Sequence, residues 1–212
     1  MDDMSQGEVL LPENTALIVI DVQKGLDEPY WGERNNPEAE ENMARLLDAW
    51  RRRGRAIYHV HHHSKNPKSP LRPDYVGNEI KDIVKPQPGE PVLKKSENSA
   101  FIGTDLEERL RAGNQSGVVL VGLTTDHCVS TTARMAANLG FSTIVVSDAT
   151  ATFDRYSPIT SRHYTADEMH ESELTSLSGE FARIARTEAL LRSLGSEAVA
   201  GTNPQTLPEK AL

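Results

Sequence analysis

Four short apolar runs, separated by helical patterns and proline-rich loops, constrain this chain more than any other feature. Ala16-Leu-Ile-Val-Ile20 is five uninterrupted apolar residues ending on Asp21, and Ala56-Ile-Tyr-His-Val60, Val118-Val-Leu-Val121 and Thr143-Ile-Val-Val146 follow the same form. Runs of that length read as buried strands. Between them Met43, Leu46, Leu47 and Trp50 stand at i, i+3, i+4 and i+7, the stripe of an amphipathic helix. Strands alternating with helices imply a parallel sheet covered on both faces. The expected architecture is α/β: a three-layer α-β-α arrangement with a mostly parallel central sheet, Rossmann-like in kind.

Boundary signals refine this outline. Asn36 and Pro37 predict an N-cap and a first-turn proline for the first helix, and Gly54 its end. Thr104 to Glu107 predicts a capping box for a helix that Gly113 terminates, and Thr165 to Glu168 another for a helix reaching about Leu177. Residues 181–185 read equally as strand or helix. Residues 64–91 hold six prolines and no clear periodicity, and irregular segments of that length are more often functional than idle. We expect one domain over 1–212, with its core at about 15–194 and a loosely ordered tail at 195–212.

The 23 basic against 31 acidic residues give a net charge of −8, which argues against nucleic acid or an anionic membrane as partner. No apolar run approaches the roughly 20 residues of a membrane span. The first cation is Lys24, and without a basic start no secretory signal peptide is expected. The single cysteine, Cys128, has no internal partner, and a reducing, cytoplasmic setting is the expectation.

Ligands of open parallel sheets bind beyond the carboxyl ends of the strands. Asp21, Lys95 and Cys128 each follow such an end. Cys128 also opens a helical run, where backbone N–H groups and a nearby lysine favour thiolate, and a carboxylate can accept the thiol proton. Taken singly, each has an ordinary explanation: a small core thiol, a turn aspartate, a solvated lysine. Strand alternation puts Leu93 and Lys95 on one face and Val92 and Lys94 on the other. Composition does not choose between the two lysines.

Three segments carry a more specific signal: Ile18-Val-Ile-Asp-Val-Gln23, residues 92–104 (VLKKSENSAFIGT) and Gly122-Leu-Thr-Thr-Asp-His-Cys-Val129. With these, the chain from about Thr15 to Ala185 resembles the isochorismatase-like cysteine hydrolases, a group related to nicotinamidases and N-carbamoylsarcosine amidases. The resemblance implies a catalytic triad of Asp21, Lys95 and Cys128, with Lys95 selected by its place four residues before Ser99. It implies hydrolysis of an amide, ureide or carbamoyl C–N bond through an acyl-enzyme. It also implies a cis peptide between Leu123 and Thr124, and an oxyanion hole from the backbone N–H groups of Thr124 and Cys128. Gln23, Phe101 and His127 are the candidate substrate-binding residues, with Tyr30 or Trp31 as a further wall.

Nicotinamidases hold a metal through an Asp-x-His pattern. Here His61 and His63 would have to stand in without that aspartate, so no metal and no cofactor are expected. Relatives that cleave the vinyl ether of isochorismate lack the cysteine; that chemistry and a non-catalytic binding module are the alternatives. The family habit implies a homodimer or homotetramer acting on a small molecule.

Overall fold

The computed structural model describes residues 11–200, with side chains described to 195. Its elements are β1 (Thr15–Ile20), α1 (Ala39–Arg52), β2 (Ile57–His62), β3 (Val92–Lys95), α2 (Leu106–Ala112), β4 (Gly117–Leu123), α3 (Ser130–Asn138), β5 (Ser142–Ala151), β6 (Arg155–Tyr156), β7 (His163–Tyr164), α4 (Ala166–Leu177), β8 (Arg183–Ala185) and α5 (Thr187–Ala200). Six strands form a parallel sheet in the order β3-β2-β1-β4-β5-β8, while β6 and β7 make a small antiparallel ribbon. Among the described residues no helix is long and apolar enough to cross a membrane.

The continuous apolar runs follow from burial on both faces. Leu17 and Val19 of β1 join one core layer with the α1 stripe Met43, Leu46, Leu47 and Trp50 and with Leu190 of α5. Ala16, Ile18 and Ile20 face the other way, against Leu106 and Leu110 of α2, Ala133 of α3 and Leu177 of α4. Alternate residues of one strand therefore feed two cores, and a polar residue on either side would be stranded.

Several boundaries differ from the local signals. Helix α1 starts at Ala39, not at Pro37, because Asn36 has φ 45° and its side-chain amide donates instead to the Ser147 and Thr150 carbonyls, at 2.8 and 2.7 Å. Thr104 lies one residue ahead of the α2 N-cap Asp105 and donates to Ala100 O at 2.5 Å, so no capping box forms there. The box at Thr165 and Glu168 does form. The ambiguous 181–185 segment pairs with β5 as β8. Helix α5 continues to Ala200, through the start of the segment expected to be loose; 201–212 lie outside the described residues.

Two features tie the strand ends together. Gly122 has φ +124°, and a Cβ there would collide with the Ile20 backbone of the adjacent strand. On the loop side, Glu40 of α1 accepts from both terminal nitrogens of Arg34 at 2.7 Å and from Lys81 at 2.6 Å, and Lys81 reaches Asp27 at 2.5 Å. This network fastens Arg34 and Lys81, and through Lys81 also Asp27, to the first turn of α1.

Gly122→Ala is expected to destabilise the fold by about 3 kcal/mol or more in chemical denaturation. Gly140→Ala, at φ +87° with open space around it, serves as the milder control at about 1 kcal/mol. A second prediction concerns pH. Burial alone would raise the Glu40 carboxyl, but the hydrogen bonds and charges of Arg34 and Lys81 outweigh it and hold the pKa at about 2, below the ordinary 4.5. A depressed folded-state pKa stabilises above pH 4.5, and that stability fades as pH falls towards 2. Glu40→Gln should thus cost roughly 3 kcal/mol near neutrality, and the gap to wild type should narrow in denaturation curves taken at pH 3.

Candidate active site

Asp21, Lys95 and Cys128 meet beyond the carboxyl ends of β1, β3 and β4. Asp21 directly follows β1 with φ 52°, and its N–H donates to Val60 O at 2.9 Å. Lys95 closes β3 on the buried side of an alternating exposed-buried pattern, with Leu93 on its own face and Lys94 exposed. Cys128 lies in a single π-helical turn, Thr125–Val129, that leads into α3 and is entered through a cis peptide bond between Leu123 and Thr124. The turn is pinned from outside. Thr152 Oγ1 donates to Asp126 at 2.5 Å, and Thr125 Oγ1 lies 2.8 Å from His170 Nδ1.

The Lys95 ammonium is the centre of the cluster. Its Nζ lies 2.5 Å from Asp21 Oδ2, 3.0 Å from Glu97 O, 3.1 Å from His62 Nδ1 and 3.2 Å from Cys128 Sγ. Donor atoms of Asp21, His62 and Cys128 all fall within 4.8 Å of one another, a spacing that suits a cation, and the ammonium is the cation they share.

Burial, and after it the Asp21 charge, push the Cys128 thiol well above its ordinary pKa, and Lys95 offsets them only in part. The sulfur therefore rests as a thiol. Lys95 does lower the thiol pKa, as the sequence leads one to expect, but burial around the sulfur and the carboxylate beside it outweigh that effect. Burial first, and then the Lys95 charge, lower the His62 pKa, so that ring is neutral at neutral pH.

Above the cluster lies a cavity of about 110 Å³. Leu26, Trp31, Leu71 and Leu123 form its apolar wall, and the polar side is made by Asp21, Cys128, His62, Asn98, Thr124 and His127. Trp31 is fixed by its indole N–H to Gly25 O at 2.7 Å and by stacking on Phe153 at 5.9 Å. Wider grooves of about 390 and 610 Å³ lie elsewhere on the surface, without thiol or ammonium among their linings.

Of the expected substrate-binding residues, His127 lines the cavity and the other two do not. Gln23 is fully buried: its amide nitrogen donates to His62 O at 3.0 Å and Asn78 O at 2.8 Å, while its oxygen accepts from His62 N at 2.9 Å. It braces the end of β2. Phe101 stacks on Phe141 at 6.1 Å in the second core layer. Trp31 is the aromatic of the 30–31 pair that faces the cavity, and Tyr30 is 58% exposed.

His61 and His63 sit ring to ring at 4.6 Å, but His61 Nε2 already bonds Asn78 O at 2.6 Å. Among the described residues, no third histidine, cysteine or carboxylate joins them in a ligand set. His62, Asn98, Leu26 and Leu71 were missed in the sequence. For His62 the usable signal was parity: on β2 it faces opposite to His61 and His63, in register with Lys95.

The two lysines make a direct test of this packing. Lys95→Ala leaves the Asp21 carboxylate buried without its counter-ion and is expected to cost about 3–5 kcal/mol. Lys94→Ala should stay within about 0.5 kcal/mol of wild type in the same denaturation assay.

Comparison with known proteins identifies the family. Residues 15–189 match the family model described as the isochorismatase domain. The chain is 46% identical over 181 residues to the isochorismatase family protein YrdC of Bacillus subtilis, covering 85% of this chain and 96% of that one. It is 28% identical over 192 residues to nicotinamidase 3 of Arabidopsis thaliana, covering 84% and 88%. A crystal structure of an isochorismatase-family protein from Chromobacterium violaceum superposes with a TM-score of 0.85 at 41% identity, covering 90% of this chain and 98% of the other. On the family match and these likenesses, the chain belongs to the isochorismatase family of hydrolases.

Proposed function

We propose that this hydrolase cleaves the C–N bond of a small amide, ureide or carbamoyl compound, with Cys128 as nucleophile, Asp21 as proton carrier and Lys95 as the charge between them. The observation that carries the reading is the Lys95 ammonium, buried 2.5 Å from the Asp21 carboxylate and 3.2 Å from the Cys128 sulfur, beneath a small cavity that the carboxylate and the sulfur line.

A resting thiol needs a base at the moment of attack, and Asp21 lies within 4.8 Å of the sulfur. Asp21 takes the thiol proton as the sulfur adds to the carbonyl carbon, and Lys95 offsets the charge developing on sulfur. In the tetrahedral adduct the oxyanion rests on the backbone N–H groups of Thr124 and Cys128. Asp21 passes its proton to the nitrogen, the C–N bond breaks and ammonia or an amine departs. Water then adds to the thioester. Asp21 accepts a proton from that water, the C–S bond breaks, and the proton returns to sulfur as the acid leaves. Lys95 keeps its proton throughout. A cysteine at this position favours acyl transfer over vinyl-ether cleavage, which needs no nucleophile, and the amide-cleaving relative named above accords with that choice.

Cys128→Ala should fold as wild type yet lose at least about 10³-fold in ammonia release across a panel of small amides. Wild type should give a covalent adduct by mass spectrometry and be inactivated by iodoacetamide. Unchanged turnover in Cys128→Ala would overturn the reading.

A further inference from the structure

The acyl-transfer scheme uses Asp21, Lys95 and Cys128 and leaves His62 without a role, although it lines the same cavity. Lys95 has three N–H donors for four acceptors. The Asp21 carboxylate at 2.5 Å and the Glu97 carbonyl at 3.0 Å take two of them. The third is shared between His62 Nδ1 at 3.1 Å and Cys128 Sγ at 3.2 Å. A ring nitrogen that faces an ammonium must present its lone pair, since a proton there would set two donors against each other. The neutral ring therefore carries its hydrogen on Nε2.

That donor is held rigidly and left available. The His62 backbone is clamped by Gln23 and by the Asn78 amide, which donates to His62 O at 2.8 Å. His62 pairs in register with Lys95 across β2 and β3. Its Nε2 has no hydrogen-bond partner among the described residues, and the side chain is 15% exposed. In the sheet order, β2 and β4 flank β1 from opposite sides. His62 thus approaches the reacting centre from the side opposite the Thr124–Cys128 turn, which receives the carbonyl oxygen. Asp21 is the one carboxylate in the cavity lining, and neither arginine nor lysine is among the lining residues, so an anionic substituent would find no counter-ion.

We propose that His62 determines specificity: its Nε2–H donates to an acceptor atom beside the scissile carbonyl, and the preferred substrate is a small uncharged amide bearing such an acceptor. This rests on the acyl-transfer reading of Cys128. Only His62→Phe removes both the ring acceptor and the donor, whereas His62→Gln keeps an N–H donor.

Two measurements on the full chain test the proposal. Nitrogen-15 shifts of the His62 ring, assigned by its loss from the His62→Gln spectrum, report the tautomer of the resting protein. The proposal requires hydrogen on Nε2, and hydrogen on Nδ1 overturns it whatever the enzyme hydrolyses. The second uses pairs of near-isosteric amides, an α-hydroxy or α-keto amide against its α-methyl counterpart, and a carboxylate-bearing amide. Wild type should favour the acceptor-bearing member at least tenfold in kcat/KM and turn over the anionic amide poorly. His62→Phe should erase that preference mainly through KM, and His62→Gln should retain part of it. A preference undiminished in His62→Phe, or an anionic amide as the best substrate, overturns the proposal. Failure of the acyl-transfer reading looks different: no amide is hydrolysed and Cys128 forms no adduct, while the tautomer is unchanged.

Discussion

The buried ion pair of Asp21 and Lys95 is the interaction on which the site depends. Both side chains are almost wholly removed from water, at 3% and 0% exposure, and their charged atoms stand 2.5 Å apart. Taking two charges out of water costs several kcal/mol each unless each finds close partners. Here the ammonium has four, and three of them are groups that a hydrolytic site can use. A pair with that desolvation cost is a weak device for stability alone. Its value is placement: around one buried cation it holds a carboxylate, an imidazole and a thiol, which line a cavity walled by Leu26, Trp31, Leu71 and Leu123.

The surrounding structure holds that pair in position from three sides. On the β4 side, Gly122 lets the strand pass against Ile20, and the Thr125–Val129 turn is fastened by Thr152 and His170. On the β2 side, Gln23 and Asn78 satisfy the backbone of His62 with buried amides, which would otherwise be costly unpaired polar groups. On the loop side, Arg34, Glu40 and Lys81 anchor the segment that contributes Leu26 and Trp31 to the cavity wall. Rigid support from all three sides matters for the proposed proton transfer between carboxylate and thiol, which is sensitive to small displacements.

The same compactness explains the state of the sulfur. A helix terminus and a lysine would lower a thiol pKa at the surface; here burial around the sulfur and the neighbouring carboxylate outweigh them. In the acyl-transfer mechanism proposed above, attack by a neutral thiol requires its proton to move as the new bond forms. That mechanism would couple nucleophile and base more tightly than a preformed thiolate would.

What the sequence determined by itself was whatever depends on local pattern. The two-sided burial of Ala16 to Ile20, the α1 stripe, the Thr165 capping box, and the side of β3 on which Lys95 falls are all set by period-two or period-3.6 placement. The positions of Asp21, Lys95 and Cys128 at strand ends were legible for the same reason. What only the tertiary structure decided were the contacts between residues far apart in the chain. Gln23 points at the end of β2 and not at a ligand, because Asn78 and His62 arrive there from the loop and the neighbouring strand. Phe101 is claimed by Phe141, and Asn36 leaves its helix to tie β5. His62 gains its place because β2 and β3 pair in one particular register, and a shift of one residue would have turned it away and presented His61 instead.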